Sequence, residues 1–409
     1  MPSRWLSGGI GGVVFFTIAV LVVIYIYIER ERPRLVKMSD SSRGQKRRPI
    51  TFSSPESNQQ QRLDHSNKID MENFWKLQMA QIFDFEHFKL CKSQLCNGCI
   101  LITYSNKTII VAEGGGFIHG ARKTQYLKMI DMVTKTYDLP EFRITINLND
   151  EPKECALNFC RPVGARQFLL LPNHRFFGDD TLTDLFEDQE SWPTWPQVLV
   201  RFANLRSAFP FEGRSKQMFL SGRPHPKKVK LIEYALDRPE MFNIQLLIQK
   251  PHCWMGMGHG PRCVNRTNFD GQCPFCSDCP SCIRCIMHGS CSNKTTPQEQ
   301  LFLHRYLIYI DGNTRSDRMK HLLLTGSCIL NIASEYEEFY SHFLVPWTNY
   351  IPIDEKMSNF TDGYEYALNN NQMCKEMADS NTLFASTFLS ERSILAYMAT
   401  LINHTQIYA

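Results

Sequence analysis

The distribution of apolar and polar positions divides the chain into three parts. Gly8–Ile28 is an uncharged, apolar run of 21 residues, long enough to span a bilayer. Ser39–Lys68 is rich in Ser, Gln, Arg and Asn and holds too few large apolar residues to bury a core. From Met71 onward the patterns of folded elements set in. Ile100–Tyr104 and Thr108–Ala112 flank Ser105-Asn106-Lys107 as the arms of a hairpin would. Phe142, Ile144, Ile146 and Leu148 alternate with polar residues, the period of a strand. Phe168–Pro172 and Gln217–Leu220 are further strand candidates, and Leu231–Phe242 and Tyr364–Tyr397 are helical ones. Tyr306–Ile310 is a continuous apolar run, typical of a parallel strand buried on both faces. Asp311-Gly312-Asn313 then makes a turn. Ser316 suits a helix N-cap, Asp317 a first-turn carboxylate, and Gly326 a helix stop after the apolar face of Met319, Leu322 and Leu323. Cys328–Ile332 reads as the next strand. The pattern predicts a β-turn-α-β unit in an α/β protein.

The apolar run is too long for an ordinary signal-peptide core. It continues into IYIERERPR without a small-residue cleavage site, so it is predicted as an uncleaved signal anchor. Arg4 precedes it while Arg30, Arg32 and Arg34 follow, and the positive-inside rule alone favours a cytoplasmic body. Five Asn-x-Ser/Thr sequons, at Asn106, Asn265, Asn293, Asn359 and Asn403, and 15 cysteines, all beyond residue 90, favour the opposite topology. They suit a luminal, oxidising compartment, and a type II membrane protein is expected. The net charge of +4 is too small to argue for nucleic acid. The predicted order is a cytoplasmic tail (1–7), the anchor (8–28), a flexible stem (29–70), an N-terminal domain (71–210) and a C-terminal domain (211–409). The last contains a cysteine-rich insertion, 252–292, in which CPFCSDCPSCIRC spaces five cysteines three apart. That spacing suits zinc, but the even number of cysteines in the insertion and the oxidising compartment favour disulfides. An odd total leaves one thiol unpaired, and Cys328, in a predicted buried strand, is the candidate.

Three stretches carry candidate chemistry. INLNDEP puts Asp150 just beyond a strand, where ligands of open α/β sheets gather. MFLSGRPHPKK ends another strand in Ser221-Gly222-Arg223. DGNTRSDR puts Arg315 and Arg318 at a predicted helix start, which suits a phosphate; an ordinary βα turn with exposed cations is the other reading. No Asp-x-Asp motif stands after a strand to hold a divalent ion.

The strings DGNTRSDRMKHLLLTGSCIL, EYEEFY and VPWTNYIPI resemble the Rumi-type protein O-glucosyltransferase family. That family includes the KDEL-motif-containing glucosyltransferases and fungal capsule-associated xylosyltransferases. The resemblance extends more weakly over about Phe74–Ala409. It implies a GT-B-like fold, two Rossmann-type βα domains facing a cleft. It also implies transfer of glucose or xylose from a UDP-sugar to a protein Ser or glycan hydroxyl, with inversion and with no metal or other cofactor. INLNDEP resembles the family's NVRDYP motif, which gives Asp150 the role of catalytic base, although Asn149 and Glu151 depart from the pattern. MFLSGR resembles an apolar strand followed by Gly-Ser-Arg, with Ser and Gly exchanged. Ser221, Gly222 and Arg223 are thereby expected at the donor diphosphate, joined by Gly312, Asn313, Arg315, Ser316 and Arg318. Trp192, Trp195 and Pro196 loosely match an aromatic segment near the acceptor. The sequence ends HTQIYA rather than in the retention signal of soluble members, so anchor and stem are expected to hold it in the Golgi or ER membrane. The competing expectation is an inactive member that binds a luminal partner through the insertion.

Overall fold

The structure, a computed structural model, describes residues 70–84, 95–154, 156–178, 193–222, 228, 231, 234–235, 238–247, 291–292 and 298–407. The apolar run, the stem, Trp192, Arg223, Asn265, Asn293 and the cysteine-rich insertion up to residue 290 lie outside the described residues. Ile69–Ala409 forms one compact unit.

The N-terminal half opens with α1 (Met71–Ile82), whose first turn is capped by Asp70 Oδ1 accepting the Asn73 N–H at 3.1 Å. Strands β1 (Cys99–Ser105) and β2 (Thr108–Glu113) form the expected hairpin. Asn106 and Lys107 both take positive φ, 52° and 58°, which a two-residue turn needs to match the strand twist. A disulfide joins Cys96 and Cys99 at the entry to β1. Helix α2 (Gly120–Thr136) leads to β3 (Phe142–Asn147), and the sheet order is β2-β1-β3 with both pairs antiparallel. A Rossmann-type parallel sheet is therefore not what the described residues of this half form, because the tight hairpin fixes β1 against β2 in opposite directions. Parallel pairing is confined to isolated bridges, Ile146 with Leu157 and Asn158 with Leu170. Phe168–Pro172 thus contributes a single bridge rather than a strand. Asn158 takes both ladder bonds itself, donating to the Leu169 carbonyl and accepting from Leu171 N–H. The half closes with β4 (Arg161–Pro162) and α3 (Trp195–Ala208).

The C-terminal half is a six-stranded sheet, every pair of it parallel. Its strands are β5 (Ser215–Gly222), β6 (Phe242–Leu247), β7 (Cys291–Ser292), β8 (His304–Tyr309), β9 (Cys328–Ile332) and, beyond the short β10 (Tyr336–Glu337), β11 (Ile351–Ile353). Phe242 opens β6 and does not end a helix; Lys228, Leu231, Tyr234 and Ala235 are the helical residues before it. The order β11-β9-β8-β5-β6-β7 reverses between β5 and β8. From that point the chain winds to one edge and then to the other, which leaves a crevice beyond the carboxyl ends of β5 and β8.

After β8 comes α4 (Met319–Leu322), a single turn whose N-cap is Arg318, not Ser316. The Arg318 carbonyl accepts the first helical bonds, from the His321 and Leu322 N–H groups, and Ser316 lies two residues upstream with its backbone held by the loop. Its N–H donates to Asp311 Oδ1 at 3.4 Å and its carbonyl accepts the Tyr309 hydroxyl at 2.7 Å. Residues 311–318 are consequently a loop, and one turn of helix supplies little dipole. Gly326, at φ 68°, ends the segment as expected. Cys328 is a free, buried thiol, in line with its expected state, as are Cys160 and Cys374.

Helices α5 (Phe360–Asn369), α6 (Asn371–Phe388) and α7 (Glu391–Ile407) complete the chain. Ile394 to Ile402 is buried all round, as expected of a helix between two bodies rather than on a surface. It returns to the N-terminal half. Trp75 Nε1 donates to Ser393 Oγ at 3.1 Å, and the Tyr397 hydroxyl donates to the Leu170 carbonyl at 2.6 Å. A second seam is the antiparallel pair β4–β10, where Arg161 Nε donates to Glu337 Oε1 at 2.6 Å. Among the described residues no helix is long and apolar enough to cross a membrane.

Candidate active site

Asp150 lies three residues past the last residue of β3, on a loop fixed by amide side chains. Asn147 Nδ2 donates to the Glu151 carbonyl at 2.6 Å and to Asn158 Oδ1 at 2.9 Å, and Asn147 Oδ1 accepts Asn149 N–H at 3.0 Å. Arg122, from α2, donates through Nη2 to Asp150 Oδ1 and through Nη1 to the Leu148 carbonyl, both at 2.7 Å. The fork of one guanidinium thus grips carboxylate and backbone together. Among the described residues Oδ2 has no partner, and the side chain keeps 42% exposure. His119 stands close by. Burial, and then the charge of Arg122, push its imidazole below its usual range, so a neutral ring accompanies the carboxylate.

The other side of the site is the crevice between β5 and β8. Gly222 ends β5 at φ 144°. A Cβ there would lie 3.2 Å from Arg318 Nη1 and 3.3 Å from Lys228 Nζ. Two cations thus converge on a bare stretch of backbone, and any side chain would displace them. Arg318 reaches across the crevice to donate from Nη1 to the Ser221 carbonyl, while among the described residues Nε and Nη2 have no hydrogen-bond partner. Spare donors and a second cation beside an open backbone suit an anion with several oxygens.

The loop that presents Arg318 is folded around Asp311. Its Oδ1 accepts the Tyr309 hydroxyl at 3.0 Å and the Ser316 N–H, and its Oδ2 accepts the Ser334 hydroxyl. Arg315 points inward, 5% exposed, with Nη1 3.9 Å from Asp311 Oδ1 and its guanidinium 4.5 Å above the Tyr309 ring. The two arginines that the sequence puts side by side therefore face different ways. Gly312 has open space where a Cβ would stand, Asn313 is exposed, and Ser221 is buried beside Arg318. Arg223 lies outside the described residues.

The base side and the anion side meet at Cys160. Its Sγ is 3.7 Å from the Asp150 carbonyl and within hydrogen-bond reach of the Thr314 hydroxyl and the Arg315 N–H. Burial pushes this thiol up to about 12, so it stays protonated and unreactive. A further tie is the ion pair of Arg175 with Asp317, with Lys320 Nζ 3.9 Å away and fully buried. Burial alone would raise the Asp317 carboxyl, but Arg175, Lys320 and His321 outweigh it and hold it well below the usual range.

Arg122, Lys228 and Cys160 join the site without being legible beforehand. Arg122 comes from a helix whose pattern is ordinary, and Cys160 from an irregular segment. Lys228 lies in the basic run after Gly222, so composition pointed near it without selecting one lysine. Among the described residues no group of three His, Cys, Asp or Glu side chains could hold a metal ion.

A family model for glycosyl transferase family 90 matches residues 116–407, well over half of the chain and all of the site. The chain belongs to glycosyl transferase family 90. Mouse protein O-glucosyltransferase 1 is 31% identical over 222 residues, 52% of this chain and 49% of that protein. Human protein O-glucosyltransferase 3 is 28% identical over 96 residues, 24% of this chain and 19% of that protein. Uncharacterized protein 179R of Invertebrate iridescent virus 6 is 32% identical over 114 residues, 26% of this chain and 10% of that protein. The family 90 chain thus spans about half, or less, of the length of these relatives. Anabaena Alr3699/HepE, solved in complex with UDP and glucose, aligns over 49% of this chain and 51% of its own at 8% identity, with a TM-score of 0.31.

Proposed function

We propose that this family 90 protein is an inverting, metal-independent glycosyltransferase that moves glucose or xylose from a UDP-sugar to a hydroxyl, either a protein Ser or a glycan. The observation that carries this reading is the convergence of two parts from the two halves of the chain. One is a carboxylate with a spare oxygen, Asp150; the other is a cation pair, Arg318 and Lys228, beside the bare backbone of Gly222. Glycosyl transfer needs both. Asp150 Oδ2 accepts the proton of the acceptor hydroxyl as its oxygen attacks the anomeric carbon. The bond from that carbon to the diphosphate oxygen breaks, and the departing UDP is stabilised by Arg318 and Lys228. Attack and departure on opposite faces invert the anomeric centre.

Ser221, Gly222, Arg223, Gly312, Asn313, Arg315 and Ser316 complete the proposed donor side, some through backbone and some by shaping the loop. The two lobes then act as a GT-B-like pair, with the acceptor entering on the Asp150 side. The relatives named protein O-glucosyltransferase support a protein hydroxyl as acceptor. The sequons and cysteines support a luminal body held by Gly8–Ile28 in a Golgi or ER membrane.

Asp150→Asn tests the base. The amide keeps an oxygen for Arg122 but cannot take a proton. Transfer is expected to fall about 10²–10⁴-fold while UDP-sugar affinity stays within about twofold. Unchanged turnover would remove Asp150 from the mechanism.

A further inference from the structure

The loop that carries Asp150 is anchored from two sides at Leu148. The Leu148 N–H donates to the Gly98 carbonyl at 3.1 Å, and the Leu148 carbonyl accepts Arg122 Nη1 at 2.7 Å. Gly98 belongs to the turn Cys96-Asn97-Gly98-Cys99, which the Cys96–Cys99 disulfide closes, and Cys99 opens β1 opposite Asn147 of β3. The same turn presents the Asn97 carbonyl to Lys153 Nζ at 2.8 Å and to Asn149 Nδ2 at 3.4 Å. It packs so closely that a Cβ on Gly98 would lie 2.1 Å from Asn149 Nδ2. The backbone just before Asp150 is therefore a fixed reference, tied to paired strands.

Arg122 carries that reference to the carboxylate. Its side chain is 20% exposed, and its guanidinium stands over the Phe159 ring, 5.7 Å from the centroid. With Nη1 spent on Leu148, Asp150 is gripped through Nη2, and by Oδ1 alone. Arginine and a carboxylate frequently pair through two parallel bonds. The Leu148 carbonyl takes the place of the second carboxylate oxygen here, and among the described residues Oδ2 stays unclaimed.

We propose that Arg122 is a positioning residue for the transfer step: it fixes Asp150 by one oxygen and so holds the other, in one orientation, ready for the proton of the attacking hydroxyl. This rests on the reading of Asp150 as the base. Arg122 neither gives nor takes a proton, since a guanidinium stays charged. Without it the carboxylate, 42% exposed, would turn about its own side-chain bonds, and a displacement of about 1 Å can cost about 10²-fold in rate.

The test follows UDP release by the full-length protein from UDP-glucose and from UDP-xylose without an acceptor, when water is the nucleophile that gives its proton to Asp150. Arg122→Ala is expected to lower kcat about 10²-fold, while the dissociation constant of each UDP-sugar stays within about twofold. Arg122→Lys keeps the charge but cannot hold two acceptors in the plane of a fork, and about a tenth of wild-type turnover or less is expected. A lysine variant as active as the wild type would overturn the proposal, and so would a loss of UDP-sugar affinity in step with kcat. Asp150→Asn supplies the background that a merely structural role would not pass. There Arg122→Ala, or Arg122→Lys if the alanine variant does not fold, is expected to change the residual turnover less than about twofold, because the base it positions is already gone. A second loss as large as the first would overturn the proposal.

The base reading and the role of Arg122 fail separately. Unchanged turnover in Asp150→Asn removes the base, and Arg122 with it. Turnover that is lost in Asp150→Asn but stays within about threefold of wild type in Arg122→Ala removes only the role of Arg122.

Discussion

Replacing Arg318 probes the donor side at its most exacting contact. Nη1, the nitrogen beside Gly222, is committed to the Ser221 carbonyl, and among the described residues Nε and Nη2 have no hydrogen-bond partner. A diphosphate in the crevice between β5 and β8 would take both. Hydrogen bonds to charged groups contribute about 1.5–3 kcal/mol each. Lys228 stays in place, so the lower figure applies, and Arg318→Ala should cost about 3 kcal/mol, or about 100-fold in the dissociation constant for UDP. Arg318→Lys keeps the charge and loses the fork, and about tenfold is expected. The assay is calorimetric titration with UDP at fixed pH and salt, with circular dichroism to confirm folding. UDP affinity of Arg318→Ala within threefold of wild type would refute the donor contact. A lysine variant as weak as the alanine one would mean that geometry alone matters and charge does not.

Three further outcomes follow from packing and charge. Gly326→Ala forces a left-handed backbone on a Cβ that would lie 2.9 Å from Arg206 Cδ, and chemical denaturation should register a loss of about 1–2 kcal/mol. Asp317→Asn breaks a buried ion pair and should cost about 3 kcal/mol at pH 7. Because folding holds this carboxyl well below its usual range, its contribution is full above the unfolded value near 3.9 and is lost as pH falls from there towards the much lower folded value, so the gap between wild type and variant in acid-unfolding curves should begin to narrow near pH 4 and go on narrowing in stronger acid. If the protein is made in a secretory pathway, mass spectrometry should find glycan at Asn106 and not at Asn359 or Asn403. Asn106 is exposed on a hairpin turn, whereas Asn359 uses its side chain to accept Asp354 N–H and donate to the Pro352 carbonyl, and Asn403 is half-buried within α7.

What could be read beforehand was local. The hairpin at Asn106-Lys107, the strand before Asp150 and the sequence β8–loop–α4–β9 each follow from patterns within a few residues. The errors were also local in origin. Ser316 has an N-cap's chemistry, but Asp311 and Tyr309 hold its backbone, and that competition is settled by tertiary contacts. Phe168–Pro172 has a strand's composition, but its partner segment offers only Asn158. Arg315 and Arg318 look equivalent as text. They diverge because one meets Asp311 and Tyr309 in the interior and the other meets Ser221 across the switch point. Arg122 could not be selected, since its partners lie 26 and 28 residues further along, and Lys228 could not be told from the other lysines of its basic run until the fold brings it to Gly222.

The central claim is that a carboxylate and a cation pair, brought together from two halves, transfer a sugar from UDP without a metal. UDP release by the full-length protein tests it most directly, with UDP-glucose and UDP-xylose supplied in turn, in the presence and absence of EDTA, since transferases often hydrolyse their donor slowly without an acceptor. Release from one donor that survives EDTA and disappears in Arg318→Ala is the predicted result. No release and no binding of either UDP-sugar, or release abolished by EDTA, would contradict the account.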